Sequence, residues 1–367
     1  MLQPGHARAR QKRLLAEMDA HRLDAVVVAW PQHVYYLSAH WTHWLQQSAF
    51  ILWADGRSLL IAANEPPAGA ATDGVATYEA NPMGTQRQEQ PSIVASRVVA
   101  ALVERHSTGR VGIDASLVTS QLPTRWEFEA LPVNPTLWQL RRRKDPDELE
   151  LMKTAVACTN AMYERAREII EPGVPELTVY NELHAAAVNV AGEPLSAHLG
   201  NDYACGVPGG PPRQGRVARA GELFILDLGP AYRGYFADNS RVFSVDRKPT
   251  DAQLKAWETV VGAFPIVERM ARPGARCRDI FAAVDAHYRE ATSASFPHHL
   301  GHGVGLQPHE FPHLNPHWDD VLIEGEVFTA EPGLYGPEIG GGIRIENQYL
   351  VGRDGVTNLT PSPIGIV

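Results

Sequence analysis

Two strand-like segments of this chain end in an acid. One reads Gly221-Glu-Leu-Phe-Ile-Leu-Asp227-Leu-Gly229 and the other Gly325-Glu-Val-Phe-Thr-Ala-Glu331-Pro-Gly333. Each places its acid two residues before a glycine. Each is followed by a turn and a strand with a second acid, Asp238 in the first copy and Glu346 in the second. A carboxylate at the end of an otherwise apolar strand is costly unless a partner or a metal balances it. One such acid is explained by a cap or a turn. Four at equivalent places of a repeated segment point to metal binding or catalysis. Nitrogen is supplied nearby by His298, His299, His302 and His309, with Gly301 and Gly303 flanking His302. Glycines there are expected to let the backbone approach an ion closely.

The elements that must position these residues repeat as well. A helical pattern over 148–171 is broken by Pro172-Gly173 and followed by a second helix at about 177–191. Another over 251–272 is broken by Pro273-Gly274 and followed by a helix at about 278–292. The helix–Pro-Gly–helix unit and the strand motif recur at nearly the same offset, the mark of an internal duplication. Such a chain is expected to fold as two halves about a pseudo-two-fold axis, with the four acids converging near it.

The part before this duplication reads differently. It has a helical pattern over 8–22, an apolar strand Ala25-Val-Val-Val-Ala29, and two strands flanking Ala54-Asp55-Gly56-Arg57, where Asp-Gly signals a hairpin. A helix over 93–104 and a strand Arg110-Val-Gly-Ile-Asp114 follow. Mixed order of this kind predicts an α/β domain. Pro123, Pro132 and Pro135 then predict an irregular stretch, and Arg141-Arg-Arg-Lys-Asp-Pro-Asp-Glu148 opens a long helix. The boundary is placed near 140, giving domains 1–140 and 141–367.

Composition narrows the function classes. The 367 residues carry 33 Lys+Arg against 42 Asp+Glu, a net charge of −9 that disfavours nucleic-acid binding. No apolar run approaches the ~20 residues of a membrane span. The Arg-rich start, 1–18, lacks the apolar core of a secretory signal. Cys158, Cys205 and Cys277 are widely spaced, with no disulfide framework and no metal-binding pair. Together these predict a soluble cytoplasmic protein.

Taken as a set, Asp227-Leu-Gly, Tyr235-Phe-Ala-Asp238-Asn-Ser-Arg241, Gly301-His302-Gly-Val-Gly, His309-Glu310, Glu331-Pro-Gly-Leu-Tyr335 and Arg344-Ile-Glu346 resemble the pita-bread metallopeptidases. Among them the resemblance points to Xaa-Pro dipeptidases (prolidases) and Xaa-Pro aminopeptidases. The first part of the chain is similar to the creatinase/prolidase N-terminal domain. The resemblance implies an α/β N-terminal domain plus an α+β catalytic domain of duplicated pita-bread fold. It makes Asp227, Asp238, His302, Glu331 and Glu346 the ligands of a two-metal site. Four carboxylates and one imidazole suit Mn²⁺, Co²⁺, Fe²⁺ or Zn²⁺. Two such ions about 3.5–4 Å apart share a water and make it a hydroxide nucleophile. Glu331 is expected to orient that water and shuttle its proton, and His309 to hydrogen-bond the scissile carbonyl or its oxyanion. Arg344 is expected to hold a carboxylate, either that of a metal ligand or that of the substrate. His298 and His313 join it as candidate substrate contacts. The implied partners are a small-molecule or short-peptide substrate and a second copy in a homodimer, with no nucleic acid and no membrane.

The chain departs from the prolidase pattern at two places. A histidine usual before the first metal aspartate is replaced at Gly210, within Pro208-Gly-Gly-Pro-Pro-Arg213, and no histidine lies between His198 and Asp227. His313 stands where prolidases often have arginine. These departures keep a second reading open, a same-fold enzyme acting on a small non-peptide substrate by creatinase-like C–N hydrolysis or elimination. A non-enzymatic binding protein is disfavoured by the intact ligand set. The loop Ala39-His40-Trp41-Thr-His43-Trp44 is read as closing a substrate pocket across a dimer interface, with the Trp41 and Trp44 faces open to a cationic or ring-shaped group. Burial of the two rings in a domain contact is an equal alternative.

Overall fold

The computed structural model describes residues 1–105, 109–123, 127–292 and 296–366, with the backbone alone for 198–201. The chain divides into two compact units, Met1–Arg141 and Arg142–Val367.

The first unit runs α1 (Pro4–His21), β1 (Ala25–Val28), α2 (Pro31–Ser38), β2 (Ala49–Trp53), β3 (Ser58–Ala63), β4 (Gly74–Tyr78), α3 (Gln90–Glu104), β5 (Arg110–Ile113), β6 (Glu129–Pro132) and α4 (Asn134–Arg142). Its sheet has the order β4-β3-β2-β1-β5-β6. The Ala25-Val-Val-Val run does not alternate because β1 lies inside the sheet, antiparallel to β2 and parallel to β5, buried throughout. The β2–β3 hairpin closes with Leu52 opposite Ser58. The proline-punctuated stretch is more regular than the sequence suggests. Pro132 ends β6 and Pro135 lies in the first turn of α4, where a missing N–H costs nothing.

The second unit holds the duplication. Its first half is α5 (Pro146–Ile169), α6 (Glu176–Ala191), β7 (Ala197–Cys205), β8 (Leu223–Tyr232), β9 (Tyr235–Phe236) and β10 (Asn239–Ser244). Its second half is α7 (Asp251–Val261), α8 (Phe264–Met270), α9 (Cys277–Thr292), β11 (Gly301–Gly303), β12 (Glu310–Leu314), β13 (Val327–Ala330), β14 (Gly333–Gly336), β15 (Gly341–Arg344), β16 (Asn347–Val351) and β17 (Val356–Asn358). The charged linker starts α5 by a capping box, the Glu148 side chain accepting from the Asp145 N–H at 2.8 Å. The expected helix over 251–272 is two helices, because Pro265 cannot donate to the helix ladder.

Each half builds its own sheet, β10-β8-β7 with β9 on β8, and β12-β11-β13-β16-β17, with β14–β15 a separate hairpin. Each sheet carries its own core, Met162, Val179, Leu183 and Phe224 in one and Val260, Val267, Ile280 and Phe328 in the other. The repeat is visible in detail: Pro175 bridges Val217 just before α6, and Arg276 bridges Val321 just before α9. Among the described residues no helix is long and apolar enough to cross a membrane.

Candidate metal centre

Three of the four acids sit at strand ends; Asp227 instead lies midway along β8, which continues past it to Tyr232. Asp227 lies on β8, with Ser240 of β10 on one side and Asp202 of β7 on the other. Asp238 precedes β10, its N–H donating to Gln348 Oε1 at 3.1 Å. Glu331 follows β13, its backbone N–H donating to the Leu300 carbonyl at 2.8 Å. Glu346 precedes β16, its backbone N–H donating to the Ser240 carbonyl at 3.0 Å, which ties the second half to the first. His302 is the middle residue of the short strand β11. Its flanking glycines serve neighbouring strands rather than an ion. A Cβ at Gly301 would run into the Thr329 carbonyl, and one at Gly303 into the Phe311 carbonyl.

The side chains converge. Asp227, Asp238 and Glu346 each offer an atom within 4.8 Å of the others, and so do His302, Glu331 and Glu346. Glu346 belongs to both groups and is 1% exposed. His302 Nδ1 lies 3.0 Å from the Gly303 carbonyl, which places the ring hydrogen there. Its Nε2 therefore turns a lone pair toward Glu331 Oε1 at 3.5 Å and Asp238 Oδ2 at 3.8 Å.

Lone pairs and carboxylates facing one another are unfavourable without a cation between them. Burial, then Asp227 and Glu331, push Asp238 well above the usual carboxylate range. Burial, then Asp238 and Glu331, do the same to Glu346. Glu331 is pushed up to about 8 by burial and by Asp227. Burial, then His309, hold the His302 imidazole neutral, as a metal ligand must be. Glu346 Oε1 is buried and has no hydrogen-bond partner among the described residues. These residues fit divalent cations.

A cavity of about 270 Å³ opens on this cluster, and His309, Arg344, His299 and Asp202 share its wall. His309 stacks on His302, with ring centroids 3.7 Å apart. Arg344 Nη2 donates to Asp202 and, at 2.8 Å, to Asp227 Oδ2, while Nη1 donates to the Tyr335 hydroxyl at 3.1 Å. Of the two carboxylates considered for it, Arg344 holds that of the candidate ligand. His298 lies behind Tyr335, its Nε2 2.9 Å from the Tyr335 hydroxyl and its Nδ1 2.7 Å from the His299 carbonyl. His313 Nδ1 is 2.9 Å from Asp320 Oδ2, and its ring stacks on Trp318. Neither His298 nor His313 is among the described residues walling the cavity. In the first unit, Trp41 packs edge-on against Tyr35, and Trp44 is 82% exposed. The side chain of His198 lies outside the described residues. Sequence reasoning missed Asp202 and the Tyr335–Arg344 contact. The one trace of Asp202 in the sequence is Gly209-Gly210, whose turn wraps its carboxylate.

The model of metallopeptidase family M24 matches residues 150–353. The chain belongs to that family. The creatinase/prolidase N-terminal domain matches residues 10–142 of this M24 metallopeptidase. It is 28% identical to the Xaa-Pro dipeptidase of Pyrococcus furiosus over 358 residues, 96% of this chain and 97% of that protein. The fold is shared with the Xaa-Pro dipeptidase from Bacillus anthracis, at a TM-score of 0.84 and 23% identity over 98% of this chain and 99% of the other. It is shared too with the X-Pro aminopeptidase from Thermotoga maritima MSB8, at 0.80 and 20% over 97% and 99%.

Proposed function

We propose that this M24 metallopeptidase is a two-metal Xaa-Pro peptidase, cleaving Xaa-Pro dipeptides or removing the residue before proline from longer peptides. The observation that carries the reading is the pair of three-residue groups that share Glu346. Asp227, Asp238 and Glu346 would hold one ion, and His302, Glu331 and Glu346 the other. This donor set suits Mn²⁺, Co²⁺, Fe²⁺ or Zn²⁺. When bound, two such ions polarise a peptide carbonyl and acidify water.

The chain's own groups do the rest. Glu331 takes a proton on its carboxylate from the attacking water and returns it to the leaving nitrogen. His309 donates an N–H to the oxygen that gains charge. Arg344 fixes the Asp227 rotamer through Oδ2. The departures at Gly210 and His313 leave the ligand set complete. Relatives named as Xaa-Pro dipeptidases that match nearly the whole chain support peptide cleavage, and the non-peptide alternative is not favoured. The buried free cysteines agree with a cytoplasmic protein. A homodimer in which Trp41 and Trp44 meet the substrate rests on family resemblance.

The test is cleavage by protein stripped of metal and reloaded with Mn²⁺, Co²⁺ or Zn²⁺. Xaa-Pro substrates are cut, non-proline controls are not, and Asp238→Ala abolishes turnover. Two bound ions with no Xaa-Pro bond cut would reject the peptidase reading.

A further inference from the structure

Asp202 is an acid in the cavity wall that neither group of candidate ligands includes. It sits directly across from Asp227 in the β7–β8 pairing, so the two carboxylates share a face. The register slips between Gly200 and Asp202, a bulge of the kind that re-aims a side chain. The carboxylate is held on both oxygens. Oδ1 accepts from the Gly210 N–H at 2.5 Å, and Oδ2 pairs with Arg344 Nη2. A Cβ at Gly209 would lie 2.7 Å from Asp202 Oδ1, so that turn is shaped around this side chain.

The consequence falls on Arg344. It is the only lysine or arginine among the described residues walling the cavity. Asp202 and Asp227 take both hydrogens of its Nη2 and Tyr335 takes one of Nη1, while Nε is buried with no hydrogen-bond partner among the described residues. Five carboxylates, Asp202, Asp227, Asp238, Glu331 and Glu346, stand against this one guanidinium. Their formal excess equals the charge of two divalent ions before any hydroxide is counted. A dipeptide carries its terminal carboxylate on the residue just beyond the cleaved bond. An amide or a longer peptide carries no charge there.

We propose that Asp202 is a specificity-determining residue that takes up the charge and the Nη2 donors of Arg344 in the cavity wall, so that the site selects peptides whose residue after the cleaved bond bears no free carboxylate. The inference rests on the peptidase reading and narrows it to removal of an N-terminal residue from longer chains. A charge-assisted hydrogen bond from arginine to a substrate carboxylate is the interaction withheld.

The test compares Ala-Pro with its C-terminal amide, Ala-Pro-NH₂, on metal-loaded wild type and Asp202→Asn. Wild type favours the amide in kcat/KM. The variant shifts the ratio toward the acid by about tenfold, mainly through the acid's KM. The ratio cancels any general loss of activity. A wild type that prefers the acid, or a variant that moves both substrates equally, overturns the inference. Calorimetric titration of the loaded proteins with L-proline and L-prolinamide reads the same preference without turnover. The variant gains affinity for proline alone, and equal gains for both overturn the role of Asp202. If neither peptide is cut while this gain is seen, the peptidase reading fails and the role of Asp202 stands. If the variant does not fold, the wild-type acid-to-amide ratio decides.

Discussion

The imidazoles of His302 and His309 lie face to face, with planes 12° apart. Burial holds His309 below its usual range, and Asp227 offsets this only in part, so the ring is a neutral N–H donor at pH 7. The stack fixes that donor beside the acid cluster. His309→Ala is expected to lower kcat about 10²-fold while the metal content stays at the wild-type level. Steady-state kinetics with metal analysis checks this. Loss of metal alongside activity would make His309 a structural support for His302 instead.

Removing the metals should expose the strain among the acids. In the metal-free fold Asp238 and Glu346 have raised values and Glu331 sits at about 8, all above their unfolded values. The folded state then binds more protons than the unfolded one, so stability is fullest at low pH and is lost as pH rises through the folded values. The Tm of chelated protein should fall between about pH 5 and pH 8. Metal-loaded protein should melt higher across that window, by about 2.7 kcal/mol at a hundredfold excess over Kd. Scanning calorimetry at several pH values tests both trends.

Glu176 shows the opposite sign. It is buried at the start of α6, and burial alone would raise its carboxyl. Hydrogen bonds from Arg213 and from the Cys205 N–H at 2.8 Å outweigh that and hold it below the usual range. Its contribution is present above the unfolded value near 4.5 and is lost as pH falls through the lower folded value. Glu176→Gln should cost about 1.5–3 kcal/mol at pH 7, and the difference should shrink in acid. Denaturant melts of the two proteins at pH 7 and under acid conditions read this out.

Trp44 is 82% exposed in the first unit, so Trp44→Ala should leave Tm nearly unchanged. If the aromatic loop meets substrate in a homodimer, KM rises several-fold in that variant. An unchanged KM would remove the loop from the substrate account.

The two acid-bearing strands are legible in the sequence because the chain states them twice, although β8 does not end at Asp227 but runs on to Tyr232. Asp227 and Glu331 sit in near-identical frames, and the Pro-Gly turns repeat with them. The β6–α4 segment was hidden because Pro123, Pro132 and Pro135 read as breakers, although Pro132 ends a strand and Pro135 opens a helix. The division of α7 from α8 was missed because the apolar period continues through Pro265. Asp202 and Arg344 are 142 residues apart, and no local period links them. Only the paired glycines at 209 and 210 hint at the carboxylate they enclose. Gly301 and Gly303, expected to let the backbone approach an ion, instead admit the carbonyls of Thr329 and Phe311.

If two metal ions share Glu346, the number of metal ions per chain depends on that one carboxylate. Protein stripped by chelator, reloaded with Mn²⁺ and desalted should hold two ions per chain by mass spectrometry of the element. Glu346→Gln, which keeps the shape and removes the charge, should hold at most one. A wild type that saturates at a single ion, or a Glu346→Gln protein that still binds two, would contradict the account.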